Sequence, residues 1–207
     1  EVLTGLRRAD AGTLTLNGEN VTNLTPRGYI DRKISHIPED RHTTGLALDW
    51  SLKRNLVLKS FRTAPYAKYG LMQLKAIDAF WKRAKDEYQI KAIDEDETAR
   101  ALSGGNQQKV ILAREIDGDP EVLIANQPTR GLDVGAAEYV RGKLLEARNK
   151  GAAVLVVSAD LEELLQISDR IAVIYGGEIM GILPRSADTY AIGALMMGKR
   201  QEVAANE

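Results

Sequence analysis

Leu102-Ser-Gly-Gly-Asn-Gln-Gln-Lys-Val110 combines a hydroxyl, two glycines and a run of amides just ahead of an apolar helical pattern. That arrangement sets orphan N–H groups and the positive end of a helix dipole where a phosphate can sit. Read alone, the same residues also make an ordinary helix cap, with Ser103 as the cap residue. A second polar turn, Gln127-Pro-Thr-Arg-Gly-Leu-Asp-Val-Gly135, follows a short apolar run, and Asp160-Leu-Glu-Glu163 follows another. His36 and His42 are the only histidines, and no carboxylate stands at helical metal spacing from them, which argues against a paired metal site. Arg62, Lys68 and the aromatics of 66–69 form a basic loop of the kind that contacts RNA, or simply a surface loop.

The elements that must position these groups are short. Thr13–Asn17 alternates between Gly12 and Gly18 and predicts a strand. Thr25-Pro26 predicts an N-cap and first helical residue, with a helix to about Arg32, and Ile34–Ile37 predicts a strand ending at Pro38. Leu46–Leu58 is mixed, with Trp50 and Leu52 expected to be packed. Leu74, Ile77, Trp81, Ala84 and Tyr88 recur at helical spacing, so Leu71–Tyr88 predicts an amphipathic helix. Asp94–Thr98 reads as a solvated acidic connector, and Asn106–Ile116 as a helix opened by the glycine turn. Beyond it, Val122–Ala125, Ala153–Val157 and Ile171–Tyr175 predict strands separated by helices Ala136–Asn149 and Leu161–Ile167. Gly176-Gly177 predicts a turn into a last strand, Glu178–Leu183. Strand–helix–strand–helix–strand order implies an α/β fold with a parallel sheet, and residues 59–117 read as an all-helical insert.

Composition narrows the function classes. With 44% hydrophobic and 28% charged residues, the 207-residue chain is ordinary for a globular domain. A formal net charge of −1 offers no overall basic field for nucleic acid or an anionic membrane. Without cysteine there are no disulfides or thiolate metal sites. No apolar run approaches the roughly 18 residues of a membrane span. The opening Glu1-Val-Leu-Thr-Gly-Leu-Arg7 reads as the end of a helix already under way, so an excised piece of a longer chain is expected.

Leu102–Val110 resembles the signature motif of the ATP-binding-cassette (ABC) family in its Asn-Gln-Gln-Lys form. Gln127–Gly135 resembles that family's Walker B end and D-loop, and Val154–Ser158, Asp160–Glu163 and Ser168–Val173 its switch region and final strand. Ile37-Pro-Glu-Asp-Arg-His42 stands at the Q-loop position, in the form of the second ATPase half of sugar and nucleoside importers. The resemblance covers nearly the whole chain. It implies a partial P-loop ATPase core with a helical subdomain inserted. On this reading, 1–58 is the start of the core without its Walker A region, and 59–117 the helical subdomain ending in the signature helix. Residues 118–183 then carry Walker B, D-loop and switch, and 184–207 form a C-terminal tail.

The Gly-x-x-x-x-Gly-Lys-[Ser/Thr] phosphate loop of this class is absent, and the resemblance implies that it would lie just before Glu1. Asn126 and Gln127 stand where the family has Asp-Glu, Ala159 where it has a switch histidine, and Glu39 where it has the Q-loop glutamine. Neutral amides cannot act as a base, and losing a general base costs about 10²–10⁴-fold in rate. The family's lobes dimerise head to tail, so Ser103, Gly104, Gly105, Asn106 and Gln107 are expected to touch ATP held by a partner lobe, and Asp133 to link the two sites. No intact catalytic residue and no metal ligand is then expected in this chain, and ATP with Mg²⁺ belongs to the full assembly. The implied partners are an N-terminal ATPase lobe of the same polypeptide, membrane permease subunits and, indirectly, an extracytoplasmic binding protein. The implied location is the cytoplasmic face of a bacterial or archaeal membrane, and the implied task is import of nucleosides or simple sugars. A DNA-maintenance or ribosome-associated ATPase, or a silent regulatory lobe, are the alternatives.

Overall fold

In the computed structural model, which describes residues 1–94 and 96–199, the chain opens with a 3-10 turn, Val2–Thr4, followed by a hairpin. The hairpin is β1 (Thr15–Leu16) with β2 (Glu19–Asn20), so the expected strand at 13–17 is shorter and paired at once. Asn17 and Gly18 both have positive φ, 50° and 83°, the two-residue turn whose twist suits antiparallel strands. Helix α1 (Pro26–Asp31) starts as expected: the Thr25 hydroxyl accepts from the Gly28 amide, and Pro26 occupies the first turn.

Strand β3 (Ile34–Ile37) leads into a π-helical turn, Arg41–Gly45, capped by the Asp40 carboxylate. Helix α2 (Leu52–Leu56) follows, with Asn55 fully buried and clipping the preceding loop through the Ala47 amide and the Ala47, Trp50 and Ser51 carbonyls. Leu52 is packed as expected, but Trp50 is 47% exposed, because it lies on the loop outside α2. The 59–117 region is not all helical. Strands β4 (Ala67–Lys68) and β5 (Leu71–Met72) form a second hairpin around Tyr69 and Gly70, both at positive φ. Helix α3 (Leu74–Glu87) therefore begins three residues later than the pattern suggests. Leu74, in its first turn, is exposed, while Ile77, Phe80, Trp81 and Ala84 are buried. In the acidic connector Asp94 and Asp96 are exposed, and Glu95 lies outside the described residues.

Helix α4 (Gly104–Ile116) is the spine of the first unit. Val110, Ile111, Leu112 and Ala113 are all at 0% exposure, and each large aliphatic side chain so buried contributes about 1.5–3 kcal/mol. Strand β6 (Val122–Asn126) runs parallel to β3 on one side and to β7 (Ala153–Val157) on the other, with Ile34 opposite Val122 and Leu123 opposite Val154. Helix α5 (Val134–Asn149) is the crossover between β6 and β7.

Packing divides the chain after Val157. The second unit holds α6 (Leu161–Ile167), β8 (Arg170–Tyr175), β9 (Glu178–Pro184) and α7 (Thr189–Met196). Here the expectation of a further parallel strand fails: β8 pairs antiparallel with β9, because Gly176 and Gly177, both at positive φ, turn the chain straight back. The expected tail contains α7, whose Ile192 and Leu195 pack on Ile171 and Val173; residues 200–207 of that tail lie outside the described residues. No helix among the described residues is long and apolar enough to cross a membrane.

Candidate functional site

Ser103 stands at the N-cap of α4 in an extended conformation, yet its hydroxyl does not cap the helix. Instead Asn106 Nδ2 donates to Ser103 Oγ at 3.0 Å, while Asn106 Oδ1 accepts from the Lys91 amide at 2.9 Å. The Lys91 amide can only donate, so it fixes which end of Asn106 faces the serine. Ser103 Oγ then accepts, and its own proton remains available as a donor. The first helical amide with a turn partner is that of Gln107, which donates to the Ser103 carbonyl at 2.9 Å. The N–H groups of Gly104, Gly105 and Asn106 thus lead the helix with no side-chain cap, beside a donor hydroxyl. A turn with these donors can give hydrogen bonds to an anion. It borders an open depression of about 610 Å³ that Lys85 and Lys91 also line.

Gln107 behaves differently from its neighbours. Its side chain is buried, with Nε2 donating to the Ala99 carbonyl at 3.0 Å and Oε1 paired with His42 Nε2 at 2.9 Å. Both ends of the amide are engaged, so Gln107 holds the turn and does not reach outward, contrary to the expectation of a nucleotide contact. His42, considered for a metal, is the exposed end of that link. Among the described residues no group of three or more His, Cys, Asp or Glu is placed to hold a metal ion.

The second polar turn lies against the first. Gln108, which the sequence reading passed over, is buried and donates from Nε2 to the Pro128 carbonyl at 2.9 Å. Asn126 ends β6, and Gln127 turns the chain at a φ of 49° while its amide donates to the Val157 carbonyl at 2.7 Å. Asp133 is exposed at the N-cap of α5, where its carboxylate accepts from the Ala136 amide at 2.8 Å. The third segment arrives from β3: Glu39 pairs with the Arg130 guanidinium, and Arg41 Nη1 donates to the Arg130 carbonyl at 2.9 Å. Glu39, Ser103–Asn106 and Gln127–Asp133 thus meet in the first unit, whereas Ala159 belongs to the second. There, Asp160 caps α6 by accepting from the Glu162 and Glu163 amides.

Near the other end of α4 is a buried charge cluster that the sequence reading missed. Glu115, on α4, is 1% exposed and pairs with Lys59, with Arg114 Nε at 2.9 Å and with the His36 amide at 3.1 Å. Burial alone would raise its carboxyl, but Lys59, Arg114 and these hydrogen bonds outweigh it and hold the carboxyl below its ordinary value. Burial, reinforced by Lys59, lowers the His36 imidazole to about 4.

A parallel sheet backed by α4 and two polar turns meeting at its N-terminus define an ATP-binding cassette. The match to the family model described as ABC transporter spans residues 1–130, and the chain belongs to that family. It is 48% identical over 208 residues to a guanosine import ATP-binding protein of Bacillus subtilis (strain 168), covering 99% of this chain and 40% of that protein. It is 43% identical to a nucleoside import ATP-binding protein of Lactococcus lactis subsp. cremoris, covering 96% of this chain and 39% of that one. A glucose import ATP-binding protein of Haloferax volcanii is 42% identical, with 96% and 36% covered. The chain thus spans about 40% of the length of these relatives. A nucleotide-free ATP-binding cassette from an ABC transporter shares its fold, with a TM-score of 0.75 at 21% identity over 100% of this chain and 81% of that one.

Proposed function

We propose that this chain is the signature-bearing part of an importer's ATP-binding subunit, completing an ATP site whose phosphate loop belongs to another lobe. The observation that carries the reading is the outward-facing donor set at Ser103–Asn106: a hydroxyl proton and uncapped amides. Each charge-assisted bond from such a donor to a phosphate oxygen contributes about 1.5–3 kcal/mol. Ser103 and the amides of Gly104 and Gly105 would hold the terminal phosphate. The chain's own Walker B positions do not suit a magnesium ion, because Asn126 and Gln127 carry no charge to hold it and no base to polarise water. Hydrolysis therefore belongs to the site that this lobe completes, where ATP supplies the free energy of transport. Head-to-tail pairing with a second ATPase lobe, docking to membrane permease subunits and supply by an extracytoplasmic binding protein complete the assembly.

Nucleosides are the favoured cargo. The guanosine relative, at 48% identity, stands above the nucleoside relative at 43%, the glucose relative at 42% and ribose relatives at 40% and below. The test is Ser103→Arg in the assembled transporter, with ATP turnover and nucleoside uptake measured together. An arginine at the cap would fill the anion position, and both activities are expected to fall at least about 10²-fold. Undiminished turnover would refute the reading. Uptake of ribose in preference to nucleosides by the unaltered transporter would refute the cargo alone.

A further inference from the structure

The guanidinium of Arg41 occupies the point where the three site segments meet. Its Nη1 donates to the Arg130 carbonyl at 2.9 Å. Its Nη2 lies 3.0 Å from where a Cβ on Gly104 would stand, and 3.6 Å from the same point on Gly131. The link is answered from the other side, since the Arg130 guanidinium pairs with Glu39. Residues 39 and 41 therefore both grip Arg130, one through its side chain and the other through its carbonyl. The stem of Arg41 is fixed too. Its Cβ lies 3.3 Å from the Cβ position of buried Gly45, Asp40 caps the turn, and the Leu46 amide donates to the Arg41 carbonyl at 2.9 Å.

This placement carries two costs. Arg41 Nε is buried with no hydrogen-bond partner among the described residues, and a cation beside the start of α4 faces the positive end of the helix dipole. A neutral side chain would avoid both. What only the planar fork does is hold a carbonyl along one edge while closing against a residue without a Cβ.

We propose that Arg41 is a positioning residue that locks the signature turn to the Gln127–Asp133 turn. The lock keeps the Ser103 hydroxyl and the leading amides of α4 in register for a phosphate, and so rests on the function proposed above. It also gives Gly104 an intrachain reason to be glycine: a methyl there would crowd Nη2, and the guanidinium, held at the Arg130 carbonyl, would have to give by a few tenths of an ångström.

The test is steady-state ATP turnover by the assembled transporter with variants at positions 41, 103 and 104. Arg41→Ala is expected to lower kcat about tenfold or more while KM changes by less than about threefold, because the donors remain but are misplaced. Arg41→Lys is expected to give no rescue, since an ammonium cannot hold the carbonyl and cover Gly104 together. Gly104→Ala is expected to cost about tenfold alone and less than about twofold when added to Arg41→Ala, the mark of two residues in one contact. Additive losses, or full activity in Arg41→Lys, would overturn the lock. Unchanged turnover in Arg41→Ala, where Ser103→Arg abolishes turnover, would overturn the lock and leave the proposed function standing. A Ser103→Arg transporter that still turns over would bring down both. Should Arg41→Ala fail to fold, Arg41→Met keeps the stem against Gly45 and is read in the same way.

Discussion

His36 illustrates how a single buried group ties pH to stability in this fold. Its imidazole stays neutral down to about pH 4, held there first by burial, then by Lys59, against a smaller opposing pull from Glu115. In the unfolded chain the same group takes up a proton near its ordinary value of about 6.5. As pH falls from about 6.5 towards 4, the unfolded state therefore binds a proton that the folded state refuses, and stability declines across that window. Glu115, whose carboxyl is held down, adds its own loss only below the ordinary carboxylate range. We expect the urea midpoint to drop between pH 7 and pH 5.5, and His36→Gln to flatten that drop; an equal drop in the variant would assign it elsewhere. At this scale the sequence was readable only in part. Residue type and position placed Ser103 at the start of one helix and Asp133 just ahead of another, which is where they stand. Spacing could not show that Gln107 turns inward to His42, or that Arg41 reaches the Arg130 carbonyl 89 positions away, because such partners are created by tertiary packing.

Among the described residues, three hairpins turn on two residues at positive φ: Asn17-Gly18, Tyr69-Gly70 and Gly176-Gly177. Only the last was legible as a turn between two strands, because β8 and β9 are long enough to show a pattern. Strands of two residues, as in the other hairpins, show no alternation, although Asn-Gly is itself a turn signal. Helix α1 was legible because Thr25 caps it as its residue type predicts, whereas the caps that Asp133 and Asp160 supply to α5 and α6 were not read from the sequence. The π-helical turn was not, since nothing in Arg41–Gly45 distinguishes it from a loop. Its closeness to α4 has a measurable consequence. A Cβ on Gly45 would stand 2.9 Å from Ile111 Cδ1 and 3.3 Å from Pro38 Cγ, and Ile111 is fully buried. Gly45→Ala is expected to cost about 1–3 kcal/mol of stability by overpacking. A melting temperature within a degree of the unaltered chain would mean that Ile111 moves aside freely.

For the molecule as a whole, the order of motifs was enough to read the α/β cassette, since strand, signature helix, strand and crossover follow one another as a parallel sheet requires. The turn between β8 and β9 was read, but not that β8 pairs with β9 rather than with the parallel β3-β6-β7 sheet, because an apolar run states that a strand is buried and not which neighbour it takes. Residues 1–207 contain no Gly-x-x-x-x-Gly-Lys-[Ser/Thr] run, so titrating Mg-ATP into a polypeptide of these residues alone should release no measurable heat. Stoichiometric binding would mean that phosphate-holding groups exist here beyond Ser103–Asn106.

The chain also carries its own optical reporter. Of its two tryptophans, Trp81 is 3% exposed, whereas Trp50 is 47% exposed and its carbonyl accepts from the amide of Ala99, four residues ahead of Ser103. A dissolved quencher such as iodide therefore dims one indole and spares the other. A docked partner that covered Trp50 would shade it from the quencher, so the proposed pairing with a second lobe has a readout in emission that needs no attached dye.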